Sequence, residues 1–304
     1  MRIVSLIASA TEIVAALGAR EHLVGRSHEC DVPESVETLP ALTRARFDTG
    51  MSSKCIDTSV KNLVNSGLSV YDIDQDTLKA LSPNVIVTQD QCEVCAASLD
   101  DVEAAVCEWV GQNVRIVSLH PDTVSDIMSD IGKVGEAIGR KSEADALVAS
   151  LTSRLGLVSE NSRRAEQTRP TVFILEWIDP LMGAGHWIPE LVESADGRNL
   201  VTRAGAPSPY VTWANIEDAD PDFIIVAPCG FDLERTEKEM SAIKDCPEWQ
   251  GLRAVQTNKV AIMDGNRFVN RPSPSVVEST AMIRDIIHIG RPELGPPEWR
   301  WFNV

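Results

Sequence analysis

No stretch of this 304-residue chain approaches the roughly 18 consecutive apolar residues of a membrane-spanning helix. The signature motifs of several enzyme classes are missing too. There is no G-x-G-x-x-G after the first apolar segment, no G-x-x-x-x-G-K-[ST], no G-x-S-x-G and no H-E-x-x-H. Their absence removes dinucleotide enzymes, phosphate-loop proteins, serine hydrolases and zinc peptidases from consideration. Basic residues are scarce, 28 Lys and Arg against 45 Asp and Glu, for a net charge of −17. Nucleic acid and anionic membrane both need clustered positive charge, so neither is expected as a partner. The balance favours a neutral or cationic ligand. Cysteine is sparse and odd in number, seven in all, which excludes a disulfide scaffold and reads as reduced thiols.

What is present fits a soluble α/β protein of two domains, since 304 residues exceed one ordinary core. The opening "MRIVSLIASA" imitates a secretion signal, but its apolar run is only Ile3 to Ile7. That is short of the roughly 7–15 residues a signal requires. It reads as a first strand, placing the chain in the cytoplasm as it stands, or in the periplasm if a signal has been removed.

Strand and helix patterns then alternate. "RIVSLI", "HLVGRS", "GLSVYDI", "NVIVTQ" and "VRIVSL" read as strands. Between them lie helical segments: "SATEIVAALGA", with Ser9 or Thr11 as cap and Gly18 as stop, then "DQDTLKALS" and "LDDVEAAVCEWVGQ". Such alternation implies parallel pairing with right-handed crossovers. Residues 122–168 read as a helical bridge, with Ile127, Ile131, Val134 and Ile138 on one face, then Leu147, Leu151, Leu155 and Val158 on the next, after Ser142 as cap. From 169 to 304 the α/β pattern restarts with "TVFILEW", "HWIPELVESADG" ending at Gly197, "PDFIIVAPCG", "KVAIMDG" and the closing helix "SPSVVESTAMIRDIIHIG". The expected architecture is two Rossmann-like lobes, 1–121 and 169–304, joined by a long helix. A faint repeat links them: "LKALSPNVIVTQDQC" resembles "IEDADPDFIIVAPCG".

In open parallel sheets, ligands bind beyond the carboxyl ends of the strands. In the first lobe those positions hold Ser9, Ala10 and Thr11, then His28, Glu29 and Cys30, then Gln91, Cys92 and Cys95, then His120. In the second lobe they hold Glu176, Trp177, His186 and Trp187, then Cys229 and Phe231, then Arg267 and Phe268, with Trp213 from a loop. The "SHECD" and "CEVC" segments support three readings. Cys30, Cys92, Cys95 and His28 could hold Zn, an iron–sulfur cluster or a corrinoid metal. The CxxC could serve thiol redox chemistry. Or these are small residues lining a pocket. His120 reads as a ligand or as a cap on the following helix. His22 and His288 read as ordinary, and Cys55, Cys107 and Cys246 as structural. Tryptophans outside strands suit a large flat ligand. No second carboxylate is spaced with Glu176 in an interpretable way, so no catalytic role is assigned.

These segments together resemble the substrate-binding proteins of cobalamin and siderophore importers, nearest the cobalamin-binding branch. "RIVSLIASATEIVAALG", "LSPNVIVTQ", "GHWIPELVESADG" and "NRPSPSVVES" carry the resemblance over nearly the whole chain. It implies a non-enzymatic binder of cobalamin or a related corrinoid, held in a cleft between lobes. The protein would be an importer's binding component docking on a membrane permease, or an intracellular carrier or sensor. The alternative is a Zn, iron–sulfur or thiol redox protein built on Cys30, Cys92 and Cys95.

Overall fold

The computed structural model describes residues 1–66, 68–90, 114–160 and 169–302. The chain divides into two compact units. The first comprises Met1–Met51, Cys55–Pro121 and Ser125–Ser150; the second comprises Ser52–Lys54, Asp122–Val124 and Leu151–Val304.

In the first unit, β1 (Ile3–Ser5), β2 (Leu23–Arg26), β5 (Val85–Gln89) and β6 (Arg115–Leu119) form a parallel sheet in the order β2-β1-β5-β6. The central strands β1 and β5 are buried along their whole length. That is why they read as near-continuous apolar runs and not as alternating ones. Helix α1 (Ala8–Ala16) follows β1 after a sharp turn. Gly18, in the left-handed region at φ 69°, ends it as expected. Neither Ser9 nor Thr11 caps it, because Ile7 occupies the cap position without a side-chain bond and both hydroxyl residues lie inside the buried helix. The strand "GLSVYDI" also departs from expectation. It forms β4 (Tyr71–Ile73), paired antiparallel with β3 (Thr43–Ala45) in a separate ribbon outside the parallel sheet. The polar "TRA" of β3 carries no strand signal, so its partner could not be foreseen. Between them runs α2 (Ser53–Asn65), and α3 (Gln75–Leu81) follows β4, capped by Asp74.

Helix α4 (Val124–Ala137) buries Ile127, Ile131 and Val134, and α5 (Lys141–Glu160) follows. Ser142 lies within α5, not at its cap. Ser150 of this helix belongs to the first unit and Leu151 to the second.

In the second unit, β7 (Thr171–Trp177), β10 (Phe223–Val226) and β11 (Val260–Met263) are parallel and central. The edge strands are β8 (Met182–Gly183) and β12 (Trp299–Trp301), both antiparallel, with β9 (Arg198–Asn199) parallel to β7. Helices α6 (Ile188–Ser194), α7 (Trp213–Ala219), α8 (Leu233–Glu239) and α9 (Val276–Arg284) accompany the sheet. The exit from α6 is made at Asp196, φ 61°, one residue before the expected Gly197. Phe173, Trp249, Ile224 and Ile262 centre the core, each contributing roughly 1.5–3 kcal/mol by burial.

The internal repeat is real at backbone level. α3 and α7 both end in a left-handed residue at φ 44°, Ser82 and Asp220, followed by Pro and by the strands β5 and β10. Each of these strands lies between two parallel neighbours in its own sheet.

Gly265, just past β11, sits so tightly against the end of β10 that a Cβ there would overlap the carbonyl oxygen of Pro228. The Asn270 side chain ties the same two segments, donating to Ala227 O at 2.9 Å and to Gly265 O at 3.1 Å. We expect Gly265→Ala to cost about 1–3 kcal/mol, read as a lowered urea midpoint; an unchanged midpoint would show that the backbone yields here.

Candidate functional site

The carboxyl ends of the parallel strands in each unit hold most of the candidate residues, and the structure sorts them by burial. In the first unit Ser9, Ala10 and Thr11 are buried in α1. Thr11 donates its hydroxyl to Cys30 Sγ at 3.0 Å, and Cys30 is itself buried. The thiol thus lies against α1. His28, two residues past β2, is different. Its Nδ1 lies 2.7 Å from Thr43 Oγ1, and its ring lies against Tyr71, with centroids 5.4 Å apart. The ring keeps 27% of its surface exposed. Glu29 holds a carboxylate oxygen 4.0 Å from Nε2. Burial, aided by the Arg26 charge, lowers the His28 pKa from its ordinary 6.5.

A depressed imidazole pKa means that the unfolded chain takes up the proton first. The stability it contributes is fully present above pH 6.5 and is lost as pH falls through the lower folded value. We expect acidification from about pH 7.5 to 5.5 to lower the denaturant midpoint, and His28→Gln to lose that part of the slope. An identical slope in wild type and variant would contradict the assignment.

His120 lies just past β6. Its backbone N–H donates to the buried Asp130 of α4 at 3.0 Å, while its ring pairs with Asp90 at 2.7 Å. Asp130 also accepts from Lys133, and burial raises its pKa. Gln91, Cys92, Cys95, Cys107 and the helix expected over 99–112 lie outside the described residues. Among the described residues no three His, Cys, Asp or Glu side chains gather where they could hold a metal ion.

In the second unit Trp177 ends β7 half-buried, its ring 5.2 Å from that of Phe231 past β10. The Arg235 guanidinium stacks on the other ring at 3.8 Å, a cation–π contact that fixes Phe231 in place. The Trp177 indole N–H donates to Ser53 O at 3.2 Å, and Ser53 N and Oγ both donate to Glu239 at 2.7 Å. Glu176 accepts from Ser208 at 2.6 Å, and burial raises its pKa.

The other aromatic candidates are more deeply packed. Trp187 is buried and donates its indole N–H to Val269 O at 3.1 Å. Phe268 and Phe231 are buried. Trp213 begins α7 and packs on the core, edge-on to Trp249. His186, at φ 50°, pairs with Asp122 at 3.1 Å. Arg267 is exposed, stacks over Phe268 at 5.1 Å and lies 4.0 Å from Glu298. His288 is buried, 3.2 Å from Ala195 O, and Cys55 is exposed. Tyr71 and Thr43, which frame His28, went unnoticed in the sequence because one lies in the misread strand and the other in an unforeseen one.

Residues 3–266 match the periplasmic binding protein family. The chain belongs to that family. It is a substrate-binding protein of an ABC transporter, a class III periplasmic binding protein working with a membrane permease, and not an enzyme. It is 22% identical over 297 residues to the uncharacterized ABC transporter substrate-binding lipoprotein YvrC of Bacillus subtilis, covering 94% of this chain and 80% of that one. Among solved structures it resembles a periplasmic heme binding protein from Pseudomonas aeruginosa, with a TM-score of 0.73 and 18% identity over 100% of this chain and 98% of that one. It also resembles the periplasmic vitamin B12 binding protein BtuF of Vibrio cholerae, with a TM-score of 0.66 and 19% identity over 95% of this chain and 96% of that one. Likeness at this level establishes the shared fold.

Family membership overturns the cytoplasmic reading. Periplasmic binding proteins face the periplasm or the cell exterior, and the Bacillus relative is a lipoprotein. The intracellular carrier or sensor falls with it. A short apolar opening that forms β1 is sound evidence for a strand, but it does not decide the compartment. Among the described residues no helix is long and apolar enough to cross a membrane.

Proposed function

We propose that this substrate-binding protein carries cobalamin or a related corrinoid, with Trp177 at the end of β7 as a ligand contact. The observation that carries the reading is the half-buried Trp177 face backed by Phe231 and Arg235. A rigid, supported indole is the kind of surface on which a large flat macrocycle rests by apolar contact.

Charge separates this ligand from the porphyrin that some of the similar structures are named for. An iron porphyrin carries two propionates, whereas a corrin ring is fringed with neutral amides around a cationic metal. A chain with net charge −17 repels the former at long range and not the latter. Two further supports are the sequence resemblance to the cobalamin-binding branch and the fold shared with the vitamin B12 binding protein.

Calorimetric titration of aquocobalamin into the purified protein tests the proposal. Saturable binding with a Kd below about 10 μM, or −7 kcal/mol, is expected. Absence of saturable heat at that concentration would remove the corrinoid reading.

A further inference from the structure

A side chain that binds a metal needs a bare nitrogen, a fixed ring and a partner behind the other nitrogen. His28 meets each condition. Thr43 Oγ1 receives the His28 backbone N–H at 3.1 Å and lies 2.7 Å from Nδ1. The Thr43 hydroxyl spends its own proton on Ser27 Oγ at 3.0 Å. Nδ1 must therefore be the donor in its contact with Thr43. The imidazole is held as the Nδ1–H tautomer, with the lone pair on Nε2.

The ring cannot swing freely, because Tyr71 flanks it at 5.4 Å. Among the described residues Nε2 has no hydrogen-bond partner. Glu29 Oε1, at 4.0 Å, is beyond bonding range but places a carboxylate near Nε2. The Arg26 guanidinium donates to the backbone carbonyls of Ser27 and His28. The Thr43–His28 pair reproduces, with a hydroxyl, the outer-partner arrangement that fixes histidine ligands at metal centres.

We infer that His28 Nε2 is an axial donor to the cobalt of the bound corrinoid, in place of the ligand's own nucleotide base. The inference rests on the corrinoid reading above and adds a selectivity to it. One Co–N bond to the tethered base breaks and one to His28 forms; no electron is transferred, and the released base is left free or protonated from solvent. A corrinoid lacking the base has no such bond to lose, so cobinamide binds at least as tightly as cobalamin.

Cob(II)inamide provides the test, because it carries no nitrogenous base and any nitrogen splitting in its electron paramagnetic resonance spectrum comes from the protein. Full-length wild type is expected to give a three-line nitrogen pattern on the cobalt lines. His28→Gly should bind more weakly by about tenfold or more and lose the pattern, and added imidazole should restore it, which also shows that the variant is folded. Bound cobinamide without nitrogen splitting in wild type, or splitting that survives His28→Gly, overturns the axial assignment and leaves the corrinoid reading intact. Failure of wild type to retain either cobinamide or cobalamin overturns both.

Discussion

Asp285→Ala is expected to lower the stability of the second unit by about 3 kcal/mol and the melting temperature by roughly 6–12 °C. Asp285 is fully buried where α9 gives way to a wider helical turn. Its carboxylate accepts the backbone N–H groups of Glu293 at 2.9 Å, Leu294 at 3.0 Å and Gly295 at 2.8 Å. Among the described residues no basic side chain bonds this carboxylate; the loop amides themselves solvate it. Removing the acceptor strands those donors and frees the segment that leads into the edge strand β12. Gly295 is closely seated as well, since a Cβ there would press on Met282. Asp285→Asn, which keeps one acceptor oxygen, should recover part of the loss. Hydrogen exchange localises the effect: amides 293–301 should lose protection in the alanine variant first. A melting temperature within about 2 °C of wild type, with unchanged protection, would show that the loop holds without its anchor.

Trp177→Ala is expected to weaken cobalamin binding by about 30-fold or more, the scale of a buried aromatic hot spot near 2 kcal/mol. Phe231 and Arg235 set the ring's position, so the loss is of a ready-made surface and not of a flexible contact. The indole bond to Ser53 O is also lost, and Trp177→Phe separates the two effects. Phenylalanine keeps an aromatic face without the N–H donor and should retain most of the affinity. An alanine variant that binds within twofold of wild type would move the ligand away from β7.

The sequence was most informative where burial and backbone geometry leave few options. β5 and β7 announce themselves as unbroken apolar runs because both of their faces are covered. The paired "LSP" and "ADP" turns are legible because a left-handed residue followed by proline ends a helix in only one way. The same reasoning fails for short polar strands. β3 is "TRA", and nothing in those residues separates an edge ribbon from a loop, so β4 was assigned to the wrong sheet.

The site was legible by place more than by role. Strand-end positions are legible in the sequence as a class, yet which side chains face solvent depends on packing that no local pattern encodes. Trp187 and Phe268 look as available as Trp177 in the sequence, but both are buried. Cys30 reads as a metal donor, a redox partner or a pocket residue, and its burial and the Thr11 hydroxyl bond to its thiol could not be foreseen. His28 kept its place among the candidates, though the Thr43 contact that orients it spans 15 residues and crosses from one strand end to another element.

The central claim is that this periplasmic binding protein takes a corrinoid in preference to a porphyrin. Purified full-length protein should be mixed with equimolar aquocobalamin and hemin, freed of unbound ligand by gel filtration, and read by its visible spectrum. A corrinoid spectrum at one equivalent per chain, with no Soret band, is the predicted result. A Soret band in the protein fraction, or a colourless protein, would contradict it.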